Sequence, residues 1–83
     1  MSDVKIYTTT FCPYCTAAKE LLEQKGIPFD EINLTDRQQE LTELKQRTGM
    51  RTVPQVFIKE ELIGGYTELA GLSQSGELNS KLS

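Results

Sequence analysis

The sequence predicts an α/β domain in which a four-stranded mixed sheet is flanked by helices, in the order β-α-β-α-β-β-α. Short segments with alternating apolar residues recur between longer segments with helical periodicity. Gly or Pro stands near most of the junctions between them. A βαβ half followed by a ββα half can share one sheet whose faces the helices cover. At 83 residues, the whole chain, 1–83, is expected to form one domain.

The first strand and helix are the most regular elements. Residues 4–8, VKIYT, alternate as a strand does, and Pro13 marks a helix start because Pro fits the first helical position. Gly26 is expected to end this helix. Its predicted face consists of Tyr14, Ala18, Leu21, Leu22 and Lys25. Residues 28–34 then predict a second, less regular strand.

Residues 35–49 predict the second helix. The residues that mark it are Thr35 or Asp36 at the N-cap, Leu41 and Leu44 on the apolar face, and Gly49 at the C-cap. Residues 55–58 and 62–65 predict a hairpin that turns at Lys59 and Glu60. The tail predicts one or two short helices. Its apolar positions are Leu69, Leu72, Leu78 and Leu82, and Gly71 and Gly76 are the positions that could interrupt a helix.

Composition excludes several classes of function. The chain is 37% hydrophobic and 25% charged, as globular proteins are, and its net charge of −3 without a Lys/Arg cluster argues against nucleic-acid binding. No apolar run approaches the roughly 20 residues that cross a bilayer. The N-terminus lacks the features of a signal peptide. We therefore expect a cytoplasmic protein with no membrane partner, in a compartment where lasting structural disulfides are rare.

The side chains available narrow the chemistry to thiols. With no His and two Cys, one chain cannot supply the usual four Cys/His ligands of zinc, so we expect no metal site. Triads that need an imidazole are excluded in the same way.

Cys12 and Cys15 are predicted to be a redox-active pair. Cys12 directly precedes Pro13, at the helix N-terminus, where unpaired N–H groups and the helix dipole favour a thiolate. Its pKa is expected below the free value of about 8.5. Cys15 lies one turn further on, within reach as the resolving thiol. Two inert buried cysteines or a structural disulfide are the alternatives, but so short a loop stabilises little, and CxxC beside a βαβ pattern is typical of redox motifs.

Two further segments carry candidate site residues with two interpretations each. Pro54 either marks a strand boundary or forms a cis Val53–Pro54 bond that turns the Val53 backbone toward the thiol. The segment GGYTEL, residues 64–69, either caps the last helix or uses its free N–H groups to bind an anionic ligand. Tyr14 either packs on the helix face or flanks a substrate.

The motifs CPYC (12–15), TVPQVFI (52–58) and GGYTEL (64–69) resemble those of dithiol glutaredoxins, and the resemblance covers essentially the whole chain. It implies the thioredoxin fold, a cis Val53–Pro54 bond and glutathione-dependent reduction of protein disulfides and glutathione mixed disulfides. It further implies catalytic Cys12 and Cys15, and glutathione binding by Pro13, Tyr14, Thr52, Val53, Pro54, Gly65, Thr67 and Glu68. Glutathione would be a co-substrate, with no tightly bound cofactor.

The same resemblance implies the partners: disulfide-containing or glutathionylated proteins, and NADPH through glutathione reductase, with the chain acting as a monomer. Two departures concern the glutathione site. No Lys stands before Cys12, and Thr67 and Glu68 replace an Asp pair common in the family. We hypothesise that Arg51, or Arg37 with Gln38, partly replaces the Lys.

Two other functions remain open at this point. A redoxin reduced by thioredoxin reductase would share the fold and the thiol pair but lack a working glutathione groove. An iron–sulfur carrier would hold a cluster between two chains through Cys12 and glutathione, although Pro13 and Tyr14 leave little room for one.

Overall fold

A computed structural model of the chain describes residues 3–82. Its elements are β1 (Val4–Thr8), α1 (Pro13–Gln24), β2 (Asp30–Asn33), α2 (Gln38–Thr48), β3 (Gln55–Ile58), β4 (Glu61–Gly64), α3 (Tyr66–Ser75) and α4 (Glu77–Leu82). The sheet has the order β2-β1-β3-β4, with β1 parallel to β2 and the other neighbours antiparallel. This is the predicted mixed sheet. No helix within the described residues has both the length and the apolar character to cross a membrane.

Helices cover both faces of the sheet. On one face, α1, α3 and α4 bury a core formed by Val4, Ile6, Ala18, Leu22, Val56, Ile58, Leu69 and Leu78. On the other face, α2 packs through Leu41 and Leu44 beside Leu34. The alternation predicted for β1 is confirmed, because Val4, Ile6 and Thr8 are fully buried.

The face of α1 differs from the prediction at both ends. Its buried residues are Cys15, Ala18 and Leu22, whereas Tyr14 is 65% exposed. Cys15, one residue further along the helix than Tyr14, takes the core-facing position, which turns Tyr14 outward. Lys25 is the exposed C-cap and belongs to no buried face.

The N-cap predicted for α2 is wrong. Neither Thr35 nor Asp36 caps the helix, which begins at Gln38 after Arg37 without a side-chain cap, and the Thr35 hydroxyl serves another contact. It accepts the backbone N–H of Thr10 at 2.7 Å and so ties the loop after β1 to the loop after β2. The predicted C-cap is confirmed: Gly49 has φ 77°, the left-handed conformation that favours glycine.

Several other element boundaries differ from the predictions. The hairpin turns at Lys59 and Glu60, as predicted, with φ 50° and 69°, and β4 therefore begins at Glu61, one residue earlier than expected. The second strand is shorter than residues 28–34. The tail forms two helices that separate at Gly76, and Gly71 lies within α3 without ending it.

Glu31 of β2 joins α1 to the sheet through Thr8 of β1 and Lys19 of α1. Its carboxylate accepts hydrogen bonds from the buried hydroxyl of Thr8 at 2.8 Å and from Lys19 of α1 at 3.0 Å. Partial burial raises the pKa of Glu31, but these two hydrogen bonds and the Lys19 charge outweigh it, so the pKa lies below its usual value of 4.5. The ionised carboxylate therefore stabilises the folded chain above that value, and the stabilisation is lost as the pH falls through the lowered pKa.

We predict that Glu31→Gln makes the stability less sensitive to acid. The variant should lose about 0.5–1 kcal/mol at neutral pH, a modest amount because the pair is partly exposed. The difference from wild type should shrink as the pH falls below 4.5, and chemical denaturation at pH 7 and pH 3 measures it. Glu23→Gln, on the exposed side of α1, is the control. A difference that stays constant over this range would contradict the assignment.

Candidate active site

Cys12 occupies the N-cap position of α1. Its Sγ accepts the backbone N–H of Cys15 at 3.1 Å, and its carbonyl accepts the N–H of Thr16 at 3.1 Å as the first helical bond. The first turn contains no acidic residue. Sulfur thus stands where a Ser or Asp oxygen usually caps a helix, and the N–H groups and helix dipole stabilise negative charge on it.

Cys12 and Cys15 are joined as a disulfide, with their Cα atoms 5.2 Å apart. Cys12 is half-buried, whereas Cys15 is 1% exposed. A reagent in solution therefore reaches the sulfur of Cys12 first. This ordering agrees with the predicted roles of nucleophile and resolving thiol.

The loop before β3 brings a second segment to the sulfur. The Val53 carbonyl oxygen lies 3.6 Å from the Sγ of Cys12, across 41 residues of sequence. The Val53–Pro54 peptide bond is cis, as the resemblance implied. Of the two interpretations of Pro54, the structure therefore supports the one in which the Val53 backbone faces the thiol.

The N-terminus of α3 supplies the third segment. The Glu68 carboxylate accepts the backbone N–H of Gly65 at 2.7 Å and thereby caps the helix. Gly64 has φ 129°, and a Cβ there would lie 2.7 Å from the Glu68 carboxylate, so this turn requires glycine. The N–H groups of the first helical turn, which begins at Tyr66, have no partner within the helix.

These segments enclose a cavity of about 260 Å³ beside Cys12. Its lining consists of Tyr14, Thr52, Val53, Pro54, Tyr66, Thr67 and Glu68. Six of the eight residues predicted to bind glutathione are therefore brought together in one place. The other two lie outside this lining. Pro13 is exposed at the start of α1. Gly65 lies next to the loop before β3, and a Cβ added to it would be 3.4 Å from the Pro54 carbonyl oxygen.

Tyr66 is a site residue that the sequence analysis missed. Its ring lies 6.2 Å from that of Tyr14, and the two rings border the cavity together. Its position directly after the Gly pair, at the first residue of α3, is the signal that was available. Tyr14 points outward and lines the cavity, so it does not pack on the buried face of α1; that it flanks a substrate stays a prediction.

The proposed substitutes for the missing Lys are placed less favourably. Arg37 pairs with Glu40 at 3.7 Å, and the Gln38 amide donates to the Thr35 carbonyl at 2.6 Å. Arg51 is exposed and forms no salt bridge within residues 3–82, but it does not line the cavity. The structure brings none of the three into the site.

A larger cavity of about 500 Å³ lies between β4, α3 and α4. Its lining shares Glu68 with the smaller cavity but includes no residue of α1 or of the loop before β3. The smaller cavity is the candidate active site because Val53, which borders it, has its carbonyl oxygen 3.6 Å from the Cys12 sulfur.

Comparison with known proteins agrees with this geometry. The glutaredoxin family model matches residues 4–63. A glutaredoxin of Pseudomonas aeruginosa is 43% identical over 83 residues, covering 100% of this chain and 99% of the relative. Glutaredoxin 3 of Escherichia coli strain K12 is 42% identical over 82 residues, covering 99% of each chain.

Solved structures show the same fold. A crystal structure of a buckwheat glutaredoxin–glutathione complex superposes with a TM-score of 0.90 at 33% identity, covering 98% of this chain and 76% of that one. The solution structure of a Brucella melitensis glutaredoxin gives 0.87 at 43% identity, covering 99% and 89%. The predicted thioredoxin fold is thereby confirmed. The chain belongs to the glutaredoxin family.

Proposed function

We propose that this glutaredoxin reduces glutathione mixed disulfides and protein disulfides with Cys12 as nucleophile, Cys15 as resolving thiol and glutathione as co-substrate. The observation that supports it most is the Sγ of Cys12 at the N-terminus of α1, 3.1 Å from the Cys15 N–H and beside a cavity lined by the loop before β3 and the start of α3. A sulfur held there is both an accessible nucleophile and, once bonded, a good leaving group.

The first reaction uses Cys12 alone. Its thiolate attacks the glutathione sulfur of a mixed disulfide, so a bond from Cys12 to glutathione forms while the protein thiolate leaves and takes a proton from water. A second glutathione, as thiolate, attacks the glutathione sulfur on Cys12. Oxidised glutathione leaves, and the Cys12 thiolate is regenerated. The net reaction consumes one free glutathione: the protein thiol is released, and the substrate's glutathionyl group leaves in the oxidised glutathione.

The second reaction, on a protein disulfide, uses both cysteines. The Cys12 thiolate attacks one sulfur of the substrate disulfide, and the other substrate sulfur leaves as the first thiolate. Cys15 then attacks the Sγ of Cys12 and releases the bonded substrate sulfur as the second thiolate. The Cys12–Cys15 disulfide is the oxidised form that this route produces. Two glutathione molecules reduce it in turn. Burial of Cys15 keeps it from external reagents until Cys12 is bonded.

The cavity fits the glutathionyl group. The Val53 backbone, with its carbonyl 3.6 Å from the Cys12 sulfur, would pair with the cysteinyl residue of glutathione. The free N–H groups at the start of α3 would hold the γ-glutamyl carboxylate, and the Glu68 carboxylate would hold the γ-glutamyl ammonium group. Tyr14 and Thr52 would flank the peptide, while Pro13, Pro54 and Gly65 fix the backbone around it.

This arrangement favours glutathione over thioredoxin reductase as the source of electrons. A redoxin served by thioredoxin reductase would not need a cavity with polar groups for a glutathionyl substrate. We therefore propose that electrons come from NADPH through glutathione reductase. The proposal further includes that glutathione is used without a tightly bound cofactor. It also includes that the chain acts as a monomer in the cytoplasm. The single-domain assignment for 1–83 is part of the same proposal.

We predict that the two cysteines separate in a coupled assay with NADPH, glutathione reductase, glutathione and a glutathionylated peptide. Cys12→Ser should reduce turnover to background because the nucleophile is lost. Cys15→Ser should keep most of the turnover on this substrate and lose it on a protein disulfide, which requires resolution. Equal loss in both variants would contradict the assigned roles. Absence of turnover in the native chain would favour the thioredoxin-reductase alternative.

We predict that Glu68 has two separable roles. Glu68→Gln keeps an oxygen for the Gly65 N–H but removes the charge, so stability should change little while the apparent KM for a glutathionylated peptide rises about tenfold. Glu68→Ala should raise the KM similarly and also cost about 0.5–2 kcal/mol of unfolding free energy through loss of the cap. An unchanged KM in Glu68→Gln would remove Glu68 from the glutathione site.

A further inference from the structure

The loop between α2 and β3 carries three residues of the cavity, yet its own backbone is sparsely bonded. Thr52, Val53 and Pro54 all line the cavity. Within residues 3–82, no backbone-to-backbone hydrogen bond joins residues 50–54 to another part of the chain. The loop must therefore be held by side chains if the Val53 backbone is to present a fixed edge to a substrate.

Gln55 supplies two of the bonds that hold this loop. Its side-chain amide nitrogen donates to the Met50 carbonyl at 3.2 Å and to the Thr52 carbonyl at 3.1 Å. These bonds use both N–H groups of the amide. They fix the loop on either side of Arg51. Val53, whose carbonyl faces the Cys12 sulfur, directly follows Thr52.

The side chain of Gln55 is wholly buried. Its exposure is 0%, and its amide oxygen has no hydrogen-bond partner within the described part of the chain. Rotating the amide by 180° would place that oxygen against two carbonyl oxygens, so the donors are fixed toward the loop. Burial of an unpaired amide oxygen costs free energy, which an apolar side chain of similar shape would avoid. The two bonds to the loop carbonyls therefore account for the presence of a buried amide at this position.

Gln55 also connects the loop to a rigid part of the fold. It is the first residue of β3, and its partner in the antiparallel ladder is Tyr7 of β1. Gln55 thus ties the Met50 and Thr52 carbonyls to β1 and β3, the two central strands of the sheet. The strand β1 also leads into the loop that ends at Cys12. The same framework therefore holds the nucleophile and the edge of the cavity.

We propose that Gln55 is a positioning residue for glutathionyl substrates: it anchors the loop through the Met50 and Thr52 carbonyls and thereby fixes the Val53 backbone beside Cys12. This inference rests on the proposed function of the cavity. Gln55 does not line the cavity and touches no reacting atom, so it acts on substrate binding and leaves the nucleophile unchanged. Loss of its donors would let the loop move while the N-terminus of α1 keeps its geometry.

The test is Gln55→Met, which keeps the length and removes both donors. The apparent KM for a glutathionylated peptide should rise roughly tenfold, as expected when hydrogen bonds that organise the loop are lost, while kcat stays within about twofold. The rate at which iodoacetamide alkylates reduced Cys12 should also stay within about twofold, because the cap of α1 is unaffected. Gln46→Met, the same change on the exposed side of α2, is the control and should leave all three values unchanged.

Two further measurements keep the proposal falsifiable. Thermal unfolding shows whether Gln55→Met folds; if it does not, Gln55→Asn, which keeps the donors but is too short to reach both carbonyls, replaces it with the same expected rise in KM. An unchanged KM in a folded variant, or a fall in kcat and alkylation rate equal to the change in KM, would overturn the proposal. Failure of the proposed function would instead appear as absent turnover in the native chain.

Discussion

The unpaired N–H groups at the start of α1 are the constraint on which the site depends. A helix leaves its first N–H groups without intrahelical partners, and this chain places a sulfur over them. Parallel pairing of β1 with β2 requires a crossover, which α1 provides, so the loop from β1 into α1 opens at one edge of the sheet. The nucleophile is therefore accessible at that edge, while Cys15, Ala18 and Leu22 anchor the helix in the core.

Two later segments are brought to the same edge and border the cavity beside Cys12. The loop before β3 directs the Val53 carbonyl at Cys12, and the start of α3 brings Glu68 and free N–H groups to the far side of the cavity. Each is held by a side chain that satisfies backbone groups: Gln55 donates to loop carbonyls, and Glu68 accepts the Gly65 N–H. Under the proposed function, the side chains that complete the local fold are therefore also the ones that organise the substrate cavity.

Most of the fold was predictable because it follows from local patterns: the alternation of β1, the Pro13 start of α1 and the left-handed Gly49 are signals within a few residues. The parts that failed depend on contacts distant in sequence. Thr35 stands at a position typical of an N-cap, but its hydroxyl accepts the N–H of Thr10, 25 residues away in sequence. Tyr14 fitted the helical period of a buried face, but Cys15 takes that position. The role of Gln55 depends on burial, which no local pattern reveals.

The most direct test of the account is the ultraviolet titration of the Cys12 thiolate in reduced Cys15→Ser. This variant keeps the backbone N–H that bonds to the Cys12 sulfur and removes the competing thiol. Because the helix N-terminus stabilises the thiolate, the account predicts a midpoint clearly below the free-cysteine value of about 8.5, with thiolate predominating at neutral pH. A midpoint at or above that value would contradict the claim that the N-terminus of α1 activates Cys12.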